Sequence, residues 1–324
     1  MRGQIAHFGF RLEKKTLMVL VMLFVCVPFV NAQFYQGYQT TFGKNRVQYQ
    51  EFLWTFYRFK NFDTYFYVGG KEHARFVGQH ADKEIERIEQ LFDFRSSGRI
   101  QFIIFNRYSD MKQSNIGLEG EEVTGNTGGL TRVIGNKVLI YFDGDHGHML
   151  EQIRAGVAQV LFHQLMYGGN FRDRIQSSVL LTIPAWFERG LIAYISKGWG
   201  AEQDDILRDG FSRNKKLQFN RLPENEAEFA GHSMWNYIAN TYGQTSISNL
   251  LYMTRVNRSI DNGFSFVLGM NLKRLMRSWH DYYVKYYEHD SILFLSPERK
   301  EIVKAKSGRT HDFIRLSPDG RTLA

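Results

Sequence analysis

Leu150-Glu-Gln-Ile-Arg-Ala-Gly-Val-Ala-Gln-Val-Leu-Phe-His-Gln-Leu-Met166 and, after a polar connection, Pro184-Ala-Trp-Phe-Glu-Arg-Gly-Leu-Ile-Ala-Tyr194 are the two pieces whose reading decides the fold. In the first, Ile153, Val157 and Leu161 recur every four residues, the spacing of one buried helix face. The second opens on a proline and carries Trp186, Gly190 and Leu191, which marks it as another packed helix. Together Leu150 to Ser196 organise the chain: a helix, a turn away, and a return.

Working outward toward the N-terminus, Phe62 to Val68 is dense in residues that suit a pleated surface and ends at Gly69-Gly70, so it predicts a strand. Lys71 to Phe94 places Ala74, Phe76, Val77, Ala81, Ile85, Ile88, Leu91 and Phe92 at helical spacing, with Glu84, Arg87 and Glu89 pointing elsewhere. Ile100 to Phe105 is a buried strand, and Ser109-Asp110 caps a short helix reaching Asn115. Gly117 to Gly129 is a glycine-rich loop; it is not a phosphate loop, because no Gly-Lys-Ser/Thr follows it. Leu130 to Ile134 and Lys137 to Phe142 alternate around Gly135-Asn136, the signature of a hairpin. Toward the C-terminus, Ala201 to Asp209, Glu224 to Tyr242, Thr245 to Val256 and Leu272 to Tyr287 carry helical spacing. Early strands and late helices predict an α+β fold with a helical second lobe.

The ends read differently. Lys14-Lys15, an apolar run from Thr16 to Val30 and Val30-Asn31-Ala32 form a secretory signal over residues 1–32. The whole chain holds 41 basic and 33 acidic residues; without Arg2, Arg11, Lys14, Lys15 and Glu13 the mature part has 37 and 32, a net +5. Both signs are interspersed, so no nucleic-acid stripe is present. The mature part has no cysteine, hence no disulfide, and no membrane span is expected in it. Domain bounds follow as 33–196 for the α+β lobe, 197–290 for the helical lobe and 291–324 for a linker with a first hairpin.

The paired stretches resemble the peptidase-MA-like gluzincin family of zinc metallopeptidases. The resemblance rests on a strand, a hairpin and a helix, then Pro184-Ala-Trp186, Gly190-Leu191 and Tyr194. It implies a zincin-like mixed sheet with an active-site-type helix. In that family two histidines four apart on one helix and a glutamate from the next hold zinc, with a glutamate beside the first histidine as general base. In the register set by Gly190, Ile153-Arg154 and Val160-Leu161, those positions are Ala155, Gly156, Gln159 and Arg189. Ala and Gly offer no ligand, a Gln carbonyl is poor beside imidazole, and Arg repels a dication. Phe42-Gly-Lys-Asn-Arg-Val-Gln-Tyr49 and Phe313-Ile-Arg-Leu-Ser-Pro-Asp-Gly320 resemble exported TolB-like proteins of the Gram-negative envelope, in which such a domain precedes a β-propeller of WD-type repeats. That resemblance implies a periplasmic or outer-membrane-associated protein whose C-terminus begins a propeller.

The expected function is therefore a pseudo-metallopeptidase: non-catalytic, without a cofactor, and serving as a protein- or peptide-binding or scaffold module of the envelope. The family holds substrate along a sheet edge, so Lys137, Val138, Leu139, Ile140, Tyr141 and Phe142 are the candidate peptide-pairing strand. Arg189 is expected beside Gln159, supplying the missing ion's charge. Two alternatives stand. One is a metallopeptidase with nonstandard ligands, drawn from Asp145, His146 and His148 in a glycine-containing loop; a loop of that kind more often caps the following helix. The other is a purely structural support for a propeller. Glu188 reads as a helix-surface carboxylate, His163 as a polar helix residue, and His232, His280 and His289 have no mutual spacing. Trp186, Phe187, Trp235 and Trp279 read as core aromatics.

Overall fold

The computed structural model describes residues 49, 51–113, 132–168, 183–212, 224–293 and 315–322. The secretory segment 1–32, most of the Phe42–Tyr49 motif, the glycine-rich loop and Phe313-Ile314 lie outside these. The chain divides into two compact units, one of residues up to Glu84 with Gly98–Val160, the other of Ile85–Ser97 with the chain from Leu161 onward.

The first unit holds a five-stranded mixed sheet, and the protein is α+β. Its strands are β1 (Thr55–Arg58), β2 (Phe62–Phe66), β3 (Ile100–Phe105), β4 (Arg132–Ile134) and β5 (Lys137–Tyr141), in the order β1-β2-β3-β5-β4. β2, β3 and β5 run parallel in the middle; β1 and β4 join antiparallel at the two sides. The alternation of the strands sorts their side chains onto two faces. Phe62, Phe66, Phe102, Ile104, Val138 and Ile140 share one, all buried. On the other, Tyr67, Ile103, Phe105, Leu139 and Tyr141 form a cluster with Met111. Phe52 and Trp54, just before β1, pack on that cluster, Trp54 edge-on to Phe105 at 5.5 Å. This is why the aromatic residues before Asn61, which carry no clear period, nonetheless yield β1. Asp63, buried on β2, receives Arg58 and Arg99, and Arg99 also donates to the carbonyls of Phe59, Lys60 and Phe62, fixing the β1–β2 turn.

Two helices cross the division between the units. α1 (Lys71–Phe92) buries most of the stripe the spacing predicts, with Phe76 and Leu91 only half-buried and Glu84 buried where Arg154 bonds its carboxylate. α3 (His146–Tyr167) follows the short α2 (Tyr108–Gln113) and the β4–β5 hairpin. α3 begins four residues before Leu150. Asp145 is the reason: its Oδ1 accepts the Gly147 N–H at 2.7 Å, an N-cap bond, and its carbonyl accepts from Met149.

The second unit is helical: α4 (Ala185–Lys197), α5 (Ala201–Ser212), α6 (Glu224–Tyr242), α7 (Thr245–Asn257), α8 (Ile260–Leu268) and α9 (Leu272–Leu293). Sequence spacing missed α8, whose nine residues are too few to display a period. The side chain of Ser259 caps it. α4 and α6 cross at glycines. A Cβ on Gly231 would lie 1.8 Å from the Trp186 carbonyl oxygen, and one on Gly190 would lie 2.3 Å from the Gly231 carbonyl carbon. Backbones at that separation bring Trp235 Nε1 to the Phe187 carbonyl at 2.9 Å. Trp186, Phe187 and Trp235 are fully buried and Trp279 nearly so, as core aromatics should be. At the C-terminus Ser317-Pro-Asp-Gly320 is a turn, closed by Gly320 N–H to the Ser317 carbonyl at 2.9 Å.

Candidate functional site

Of the four positions the zinc frame singles out, Ala155, Gly156 and Gln159 lie on α3 in the first unit and Arg189 on α4 in the second. Gly156 is buried; Ala155, Gln159 and Arg189 are half-buried. The frame's packing residues Ile153, Val157, Leu161, Trp186 and Leu191 have no solvent exposure.

The candidate peptide-pairing strand needs correcting. The Phe142 N–H donates to the Phe105 carbonyl, so even-numbered backbone groups at this end of β5 face β3 and odd-numbered ones face the other way. On that other side β4 already pairs with Lys137, Val138 and Leu139. Tyr141, beyond the last described β4 pair, is met by a side chain. Gln152 of α3 accepts the Tyr141 N–H with Oε1 at 3.1 Å and donates Nε2–H to the Tyr141 carbonyl at 2.9 Å. Its primary amide completes the ladder as one more residue of strand would. Both residues are buried. Lys137, Val138, Leu139, Ile140, Tyr141 and Phe142 therefore offer no open edge to an extended peptide, because β3, β4 and Gln152 hold their backbone groups. Gln152→Met keeps the shape and removes both bonds. It should lower stability by about 2 kcal/mol, since two buried backbone groups lose partners, and chemical denaturation of the two proteins measures it.

Asp145, His146 and His148 do not converge on a point. Asp145 caps α3. His146 packs its ring against Phe76 and Phe142, at 4.8 and 4.9 Å between centroids. His148 Nδ1 is bonded to the Asp143 carboxylate. Burial acts to raise the Asp143 carboxyl, but that bond and the Asp145 N–H outweigh it and hold the group below its ordinary range. The His73 ring also packs on Phe142, 4.3 Å between centroids, and its pKa is lowered by burial and then by the nearness of His146. Among the described residues no group of three or more His, Cys, Asp or Glu side chains is placed to hold a metal ion.

Two pairings escaped the sequence reading. His163 Nε2 lies 2.7 Å from Glu188 Oε1, a half-buried ion-pair geometry that ties the end of α3 to the first turn of α4. Neither residue had a partner at sequence distance to reveal it. Burial and then the Glu188 carboxylate push the Tyr167 hydroxyl up to about 12. The other is His232 on α6, 2% exposed. It bonds the Gly198 backbone and packs edge-on to Trp199 at 5.0 Å, while its Nε2 is buried with no partner among the described residues. Burial, then the Lys197 ammonium, pulls it down to about 4 against the pull of the Gly198 bond. The imidazole is neutral at pH 7. Among the described residues no helix is long and apolar enough to cross a membrane. No family model matches the chain, and no curated protein matches it.

Proposed function

We propose that this chain is an exported, non-catalytic binding or scaffold module of the Gram-negative envelope, built on a gluzincin-like frame and preceding a propeller. The observation that carries the reading is the chemistry of four side chains. Ala155, Gly156, Gln159 and Arg189 supply no general base, no imidazole and no anionic ligand, while the packing residues around them are fully buried. The nearby groups of catalytic type support the same reading, since each has a structural task. Gln152 completes the sheet, Asp145 caps α3, His148 holds Asp143, and His163 holds Glu188. With β5 closed, a protein partner docks elsewhere than on that strand.

The test is metal content and hydrolysis measured together on the purified chain. Substoichiometric zinc after dialysis against zinc buffer, and no cleavage of a mixed peptide library, is the expected result. Stoichiometric zinc, lost together with cleavage in Asp145→Ala, His146→Ala or His148→Ala, would establish a peptidase with nonstandard ligands instead. A purely structural support for a propeller would show no envelope partner in cross-linking, with or without the propeller attached.

A further inference from the structure

From Thr245 to Tyr287 the chain carries six basic residues, Arg255, Arg258, Lys273, Arg274, Arg277 and Lys285, against two acidic ones, Asp261 and Asp281. All six are exposed, and none forms an ion pair with a described residue. Arg58, Arg99, Arg154 and Lys197 each hold a carboxylate, whereas Lys60, Lys71, Lys83, Arg95 and Arg107 are also exposed without an ion pair to a described residue. What sets this segment apart is therefore its excess of basic over acidic residues.

Packing gathers these cations. Asp261 Oδ1 accepts the Leu272 N–H at 2.8 Å, which seats the first turn of α9, with Lys273 and Arg274, beside the first turn of α8. Gly263 approaches Thr254 so closely that a Cβ would meet its Oγ1 at 2.6 Å. That seats the last turn of α7, with Arg255 and Val256, against the same part of α8. Arg258 lies in the connection between α7 and α8, and Arg277 follows one turn along α9. Like charges held together without counter-charges raise the free energy of the folded chain, so a partner that supplies anions is the natural complement.

The apolar side chains on these helices describe that partner further. Phe266 of α8 is 73% exposed although its helix-mates Ile260 and Phe264 are buried; Tyr252 and Val256, four apart on α7, are 59% and 56% exposed. These are protruding single residues, whereas a protein interface centres on a packed, desolvated cluster. Protruding aromatics among long basic side chains match the boundary between headgroups and acyl chains, which is fluid and needs no shape complement.

We propose that the face formed by α7, α8 and the start of α9 docks on an anionic phospholipid surface. Its unpaired cations take the headgroup phosphates, and Phe266 with the Tyr252–Val256 stripe enters the acyl boundary. The inference stands independently of the zinc question.

The experiment is flotation of the purified full chain with vesicles of phosphatidylglycerol and phosphatidylcholine at roughly 3:7, against phosphatidylcholine alone. Binding to the anionic vesicles should exceed the neutral ones by about tenfold or more, and should weaken as salt rises. Replacing Arg255, Arg258, Lys273 and Arg274 together by Gln should reduce binding by nearly three orders of magnitude, at about fivefold for each charge. Phe266→Ser with Tyr252→Ser should reduce it about tenfold. All six positions are exposed, so thermal melts of both variants should match the parent; if the double variant melts early, Phe266→Ser alone replaces it. Equal binding to both vesicle types would overturn the proposal and point to the apolar stretch 16–30. Loss of binding in the charge variant with none in the aromatic variant would also overturn it, in favour of an acidic protein surface.

Discussion

Gly231→Ala is expected to destabilise this protein by about 4 kcal/mol or more, the largest effect of a methyl group added at any described glycine. The added carbon would stand 1.8 Å from the Trp186 carbonyl oxygen, 2.8 Å from the carbonyl carbon and 2.9 Å from Gly190 Cα. All three atoms are backbone, so no rotamer change relieves the contact. α4 and α6 must move apart, and the line of separation runs through Trp186, Phe187, Leu191 and Trp235, which are fully buried. Separation also breaks the bond from the Trp235 indole to the Phe187 carbonyl. Most domains have about 5–15 kcal/mol in total, so the variant should sit close to its unfolding transition. Urea denaturation followed by tryptophan fluorescence reads it directly. Gly210→Ala is the internal control: it lies in α5 with nothing within 4 Å of an added Cβ, and should gain about 0.5–1 kcal/mol. If both alanines behaved alike, the close crossing would be wrong.

The second large effect is acid lability from His232. Its folded pKa, about 4, lies below the ordinary value of 6.5, so the unfolded chain binds the proton more readily. Stability from the neutral imidazole is complete above pH 6.5 and drains away as pH falls toward 4. Over that window the loss is about 3 kcal/mol, at 1.36 kcal/mol for each pKa unit. Carboxylates titrate in the same range, so the comparison that isolates the imidazole is with His232→Gln. The parent should lose about 3 kcal/mol more than the variant between pH 7 and pH 4. Parallel pH profiles for the two proteins would mean the ring is not buried as a neutral base.

Wherever a periodic stripe or a glycine turn ran long enough, the elements were legible. β3, the Gly135-Asn136 hairpin and α6 fall where the spacing puts them, and α1 ends within two residues of it. What escaped was short or had its cause elsewhere. β1 is four residues held by cross-strand partners, and α3 starts early because of an aspartate cap rather than its own apolar face. The site was legible only as a set of residue types. That Ala155, Gly156 and Arg189 cannot bind an ion follows from their chemistry without coordinates. That β5 is closed does not, because it depends on an amide eleven residues away from Tyr141 in sequence. Gly190 shows how such reading can mislead. Its place in a Pro-x-Trp-x-x-x-Gly pattern is demanded by contact with α6, so the pattern answers to packing and would persist whatever chemistry accompanied it.

Gln152 has one more consequence, for how the protein behaves when crowded. A strand whose outward backbone groups go unmet leaves donors and acceptors ready to recruit an identical strand from another molecule, the usual seed of fibrous aggregates. Tyr141 lies at the end of β5, within the apolar sequence Val138-Leu-Ile-Tyr-Phe142, and one primary amide is what occupies its outward backbone groups. The side chain thus serves as a gatekeeper set not in the vulnerable strand but on the helix above it. Protein lacking it would be judged less by its melting temperature than by how long a concentrated sample stays clear.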